Sequence, residues 1–209
     1  AAVLGARRSR NALLLPPGAR LGASVPLDPE ARGLLFVGSL RYAAHGGDIL
    51  MQAMARAIES GIDARLVWVA PADEPIPSAH PGWLRVERAA GAQIDRLLPA
   101  VRASVTPRRK TPYNDLAVPI KVLEYLGYGR PLLVTDTQET TRIVRDAGAG
   151  LIVPDTVDGL LHGITQLMTA ESDRLVAWSA AARAAAERNS WRRRAEEIMQ
   201  LLDLPISAR

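Results

Sequence analysis

The sequence predicts an α/β fold organised on one doubly wound parallel sheet. Short, continuously apolar runs recur along the chain, among them Leu34–Val37, Leu132–Val134 and Leu151–Val153, as strands buried on both faces require. Amphipathic helical stretches alternate with these runs, the order that builds strand–helix–strand units. No Gly-x-Gly-x-x-Gly motif opens the first unit and no P-loop is present, which weighs against a dinucleotide oxidoreductase and a nucleoside triphosphatase.

Composition narrows the function classes. A chain of 209 residues, 48% of them hydrophobic, can bury one full core, and no apolar run approaches a membrane span. Cysteine is absent, so disulfides and thiolate metal sites are excluded, which suits a cytoplasmic protein. A net charge of +4 favours anionic partners mildly. Aromatic residues are sparse and do not alternate with basic ones, so nucleic acid is not an expected partner.

Residues 1–33 read as a connecting segment. Arg7, Arg8, Arg10 and Arg20 occur there, with no acid before Asp28. Ala12–Leu15 is expected as a short strand, Pro16-Pro17-Gly18-Ala19 as a turn, and 20–33 as a loop punctuated by Pro26, Pro29 and Gly33. Leu34–Val37 is the first buried strand, and Gly38-Ser39-Leu40-Arg41 follows at its carboxyl end, where ligands gather in open α/β sheets. Gly38 lets backbone approach a ligand and Ser39 adds a donor. Asp48–Glu59 is an amphipathic helix. Strands are expected at Arg65–Ala70, at Trp83–Arg88 from its alternation, and at Ala103–Pro107, with a helix over Gln93–Val101 between the last two. The polar segment Arg108–Ala117 lies at a strand end and reads as a substrate loop, with Arg108, Arg109 and Lys110 as its solvated basic face. Later, Asp136 is expected to cap a helix over Thr140–Asp146, with Glu139 reaching back. Helices follow at Val157–Met168, Ser172–Arg188 and Trp191–Leu202. The Arg192-Arg193-Arg194 run reads as a solvated face, and leaves peripheral membrane contact open.

The chemistry concentrates in Val118-Pro119-Ile120-Lys121-Val122-Leu123-Glu124-Tyr125-Leu126-Gly127-Tyr128-Gly129-Arg130-Pro131 and the strand after it. Pro119 fits the first helical position, and Gly127, Gly129 and Pro131 end the helix. Ile120 and Leu123, with Val122 or Leu126, fall on one expected core face. Lys121 stands in the first turn, where the macrodipole disfavours a cation unless an anion is bound there. Glu124 lies one turn on and can accept two hydrogen bonds from a ribose diol. Equally, Lys121 and Glu124 can form a surface ion pair.

This stretch resembles the donor-site helix of retaining glycosyltransferases of the GT-B fold, in the large family-four group. The resemblance runs over roughly residues 10 to 203 and implies the Rossmann-like C-terminal half of that fold. It implies residues 1–33 as the end of an interdomain linker, 34–188 as a nucleotide-sugar donor domain, and 189–209 as a crossover helix and tail. It also implies that Glu124 binds the donor ribose and that Arg41 contacts the diphosphate. Two departures stand out. The family's lysine in the first loop is Gly46 here, with His45 adjacent. The first of its two glutamates, separated from the second by seven residues, is Leu116, so Asn114 and Asp115 are the expected sugar contacts. Backbone after Trp83–Arg88 meets the base in that family, which points to Arg88.

The expected function is therefore retaining transfer from a nucleotide diphosphate sugar, metal-independent and without a cofactor. Arg41 and Lys121 are the expected catalytic cations, and Gly38, Ser39, Arg88, Asn114, Asp115 and Glu124 the donor contacts. The acceptor would be held by an N-terminal domain outside this chain, leaving this piece inactive alone. The alternatives are a sugar-nucleotide epimerase of the same fold and a non-catalytic nucleotide-binding or assembly module.

Overall fold

A computed structural model describes residues 15–76 and 78–202. Six strands form one sheet: β1 (Gly33–Val37), β2 (Arg65–Val69), β3 (Leu84–Glu87), β4 (Val101–Thr106), β5 (Leu132–Thr135) and β6 (Gly150–Val153). The spatial order is β3-β2-β1-β4-β5-β6, and every pairing is parallel. This is the doubly wound arrangement the apolar runs predict. The order of connection reverses between β1 and β4, which opens a crevice above their carboxyl ends.

Helices cover both faces. They are α1 (Gly47–Glu59), α2 (Pro112–Leu116), α3 (Ile120–Gly127), α4 (Gln138–Ala147), α5 (Val157–Met168), α6 (Ser172–Arg188) and α7 (Trp191–Leu201). Strand residues alternate between two apolar layers. Leu34, Phe36, Leu66 and Trp68 pack with α1 and α5, whereas Leu35, Val67, Val69 and Val134 pack with α3 and α6.

Several expectations need correction. The segment 93–101 is a 3-10 run, Gly91–Ala100, and Pro99 inside it supplies no N–H to an α-helical ladder. The polar segment 108–117 is not all loop: Thr111 caps α2 by accepting the Asn114 N–H, with Pro112 following. Pro119 is the N-cap of α3, one position short of the first helical place expected for it. Ile120 points outward, 53% exposed, while Val122, Leu123, Tyr125 and Leu126 are buried. Tyr125 takes the inward place expected for Ile120, and its hydroxyl accepts the Val37 N–H at 2.8 Å. Thr137, not Asp136, is the N-cap of α4, and Glu139 pairs forward with Arg142 at 2.9 Å instead of reaching back. Residues 12–14 of the expected early strand lie outside the described residues, and Leu15 is in no strand.

The connecting segment is fastened to the domain. Arg130 is fully buried and donates to the carbonyls of Val25, Pro26 and Leu98 at 3.0, 3.2 and 2.9 Å. Burial, with no carboxylate beside it, pulls its pKa down to about 10. Arg130→Met should therefore leave these carbonyls without donors and cost about 1–3 kcal/mol. Urea unfolding of both proteins measures this, and an unchanged midpoint would show that the clamp contributes nothing.

Candidate functional site

The crevice at the β1–β4 switch has a volume of about 160 Å³. It is lined by Val37, Gly38, His45, Thr106, Arg108, Pro119, Lys121 and Tyr125, among others. That is small beside typical ligand pockets of about 300–1,000 Å³. It can therefore take only the centre of a nucleotide-sized ligand, with the remainder lying over the surrounding loops. A roomier cavity of about 360 Å³ lies at the other end of the sheet, beside Gly33, Arg65 and Trp83. Those residues flank the amino ends of the strands, away from the switch.

Three segments build the crevice. The first leaves β1 at Gly38, whose carbonyl accepts the Trp68 indole N–H at 2.7 Å. It continues through a 3-10 turn, Ala43–His45, to Gly46, whose φ of 70° lies in the left-handed region. A Cβ at Gly46 would overlap the Pro107 carbonyl oxygen, so the position missing the family's lysine has no room for a side chain. The second segment leaves β4 at Pro107. Asn114, 1% exposed, ties it to the first segment: its amide donates to Ala44 O at 3.0 Å and Arg109 O at 2.7 Å. Asn114 Oδ1 accepts from the Arg108 guanidinium. The third segment is the start of α3. Pro119 offers its first-turn N–H groups no side-chain acceptor, and Lys121 pairs with Glu124 at 2.9 Å.

The expected site residues fall into three groups. Gly38 and Lys121 line the crevice, and Glu124 adjoins it through Lys121. Asn114 and Asp115 act within the fold: Asn114 as described, and Asp115 by accepting the Gln138 N–H at 3.0 Å. Ser39, Arg41 and Arg88 converge on Glu74, a buried carboxylate from the loop after β2. Glu74 accepts from Ser39 Oγ at 2.6 Å, Leu40 N at 3.0 Å and Arg41 Nε at 3.1 Å, and Arg88 donates to its carbonyl. Asp73 takes the other end of Arg41 at 2.6 Å. Arg41 therefore meets two carboxylates before any ligand arrives.

The basic face of 108–110 is also not simply solvated. Arg109 pairs with Asp48 at 2.6 Å, Lys110 reaches Asp136 O at 2.8 Å, and Arg108 is half-buried in the crevice wall. Sequence reasoning missed Glu74, Arg108 and Tyr125 as members of the site. Glu74 sits in a Pro-rich loop with no local pattern that marks it. Tyr125 is betrayed only by its place beside Glu124, and burial pushes its phenol well above the usual range. Among the described residues no group of three or more His, Asp or Glu side chains could hold a metal ion. Nor is any helix there long and apolar enough to cross a membrane.

Comparison with known proteins follows the fold. Residues 31–170, more than half of the chain, match the family of glycosyl transferases group 1, and the chain belongs to that family. Its sheet and helices are those of the C-terminal, GT-B-like domain that the α3 stretch resembles. Sucrose-phosphate synthase from Thermosynechococcus elongatus superposes with a TM-score of 0.65 at 15% identity, over 85% of this chain and 46% of that one. WaaG, a glycosyltransferase involved in lipopolysaccharide biosynthesis, gives 0.62 at 20% identity over 88% and 55%. The pneumococcal O-GlcNAc transferase GtfA, solved in complex with UDP and GlcNAc, gives 0.68 at 15% identity over 91% and 39%. The chain thus spans between 39% and 55% of the length of these proteins. No curated protein matches the sequence.

The Glu74 cluster has a pH signature. Burial pushes the Glu74 carboxyl up, but hydrogen bonds from Ser39, Leu40 and Arg41 outweigh it and leave it below the usual carboxylate range. A folded-state pKa below the unfolded one contributes stability above the ordinary carboxylate range, and that stability is lost as pH falls through the depressed value. Glu74→Gln should lower the urea midpoint at neutral pH and flatten its decline on acidification. Parallel acid profiles in the two proteins would show that Glu74 is not the titrating anchor.

Proposed function

We propose that this domain holds the nucleotide diphosphate sugar donor of a retaining glycosyltransferase. The observation that carries this reading is the junction of three features at the β1–β4 switch: the open backbone at Gly38, the uncapped start of α3, and Lys121 beside Glu124. A diphosphate seated there would meet the α3 N–H groups and the Lys121 ammonium. Glu124, released from part of its ion pair, would turn its carboxylate to the ribose diol. As the glycosidic bond opens, negative charge grows on the leaving diphosphate, and fixed positive groups stabilise it without reorganising. No metal or cofactor is needed for that role. Family membership supports glycosyl transfer, and the UDP and GlcNAc bound to the pneumococcal transferase of similar fold support a nucleotide-sugar donor. The acceptor would be held by a separate N-terminal domain.

Arg41 enters this account by exchange. Its partner Asp73 is exposed, with a side chain 76% accessible, whereas Glu74 is buried. A donor phosphate would replace Asp73 and leave the Glu74 contact in place. Ser39, Arg88, Asn114 and Asp115 then serve the donor through the loops they hold.

Calorimetry against UDP, GDP and ADP, each beside its nucleoside, tests the reading. Glu124→Ala should weaken nucleoside diphosphate binding by about 1.5–3 kcal/mol. Lys121→Gln should weaken the diphosphates more than the nucleosides. Unaltered affinity in a folded Glu124→Ala protein removes the ribose role, and no binding of any nucleotide by the unmodified chain favours an assembly module. In the same assay Asp73→Asn should tighten diphosphate binding, because Arg41 is freed. A loss instead would place Arg41 outside the donor site.

A further inference from the structure

We propose that Arg108 supplies the second cation of the donor crevice, in place of the lysine that Gly46 cannot carry. The assignment rests on the donor reading above, and names a residue that neither the motif nor the family pattern marks. Arg108 lines the crevice together with Lys121 and His45.

Its charge is the one left uncompensated. Neighbouring cations each have an acidic partner: Arg41 with Asp73 and Glu74, Arg109 with Asp48, Lys110 with Asp115, Lys121 with Glu124. Arg108 has none among the described residues. Both of its hydrogen bonds, from Nε and Nη2, go to the neutral Asn114 Oδ1. Nη1 spends neither of its donors there, and a guanidinium carries five in a planar fork suited to phosphate oxygens. Burial pushes the Arg108 pKa down, the mark of a cation partly stripped of water without an anion to replace it.

The same contact that excludes a side chain at position 46 places this one. Gly46 lies against the carbonyl of Pro107, the residue before Arg108. Asn114 then fixes the junction, since its amide group holds Ala44 O and Arg109 O while its oxygen orients the guanidinium. Asn114 is thus a positioning residue. The family's lysine would have reached the crevice from the first loop, and here a basic group reaches it from the second.

The experiment titrates the whole chain with inorganic pyrophosphate and with UDP, GDP and ADP, each nucleotide beside its nucleoside. Arg108→Gln should weaken pyrophosphate and the bound diphosphates about tenfold or more, as for a lost charge-assisted hydrogen bond. It should leave nucleoside binding unchanged and make diphosphate binding less sensitive to salt. Arg108→Lys should recover most of the diphosphate affinity, which a merely structural tether to Asn114 would not. Arg65→Gln, which removes an exposed arginine at the amino end of β2, should change nothing and controls for net charge. Wild-type diphosphate affinity in a folded Arg108→Gln protein overturns the assignment while the donor reading stands. If that variant does not fold, Arg108→Lys decides: a loss of diphosphate binding despite a wild-type melting temperature overturns it. Failure of the unmodified chain to bind any probe overturns the assignment and the donor reading together.

Discussion

Two loops meet at closest approach above the carboxyl ends of β1 and β4, and the character of the site follows from that meeting. Gly46 turns through a left-handed conformation directly against the Pro107 carbonyl, where any Cβ would collide. Asn114 seals the junction by giving both amide hydrogens to carbonyls, one on each loop. The sheet topology leaves a gap at this point because neighbouring connections run in opposite directions. The loop contact then determines how narrow the gap is and which side chains can enter it.

Charge in the surrounding loops is distributed in a consistent way. Cations on the rim are neutralised locally, by Asp73 and Glu74 on one side and by Asp48 and Asp115 on another. Those pairs hold the loops in place. The crevice itself keeps a half-buried arginine with only a neutral partner, and a lysine at the wrong end of its helix for the macrodipole. A folded protein tolerates such placements when an anion is bound in function. On the donor reading, Arg41 serves both purposes, holding its loop through Glu74 and turning its other end to the ligand, whereas Arg109 and Lys110 serve the loops alone.

Most of the fold was legible because strand and helix periods differ. The buried runs at Leu34–Val37 and Leu132–Val134, and the helices at Val157–Met168 and Ser172–Arg188, lie where their patterns put them. The errors arose where tertiary contacts override local preference. Ile120 looks inward by spacing, yet it is exposed, while Val122 and Tyr125 are buried and the Tyr125 hydroxyl accepts the Val37 N–H. Asp136 and Glu139 have the spacing of a cap, but Arg142 competes for Glu139. In the site, Lys121 and Glu124 could be found because one helix turn joins them. Glu74 and Arg41 are 33 residues apart and meet only through the sheet. No local motif announces such a pair, nor the contact that gives Arg108 its place.

On the donor reading proposed above, a nucleotide diphosphate docks in the β1–β4 switch crevice, between the Gly38, Pro107 and Pro119 segments. Backbone amide NMR on the labelled chain, titrated with UDP, GDP or ADP, locates that docking directly. Shifts are expected to be confined to Gly38, Ala44–Gly46, Arg108–Arg109 and Ile120–Glu124, with residues around Arg65 and Trp83 at the opposite end of the sheet unmoved. Shifts centred on that opposite end, with the crevice amides unchanged, would contradict it.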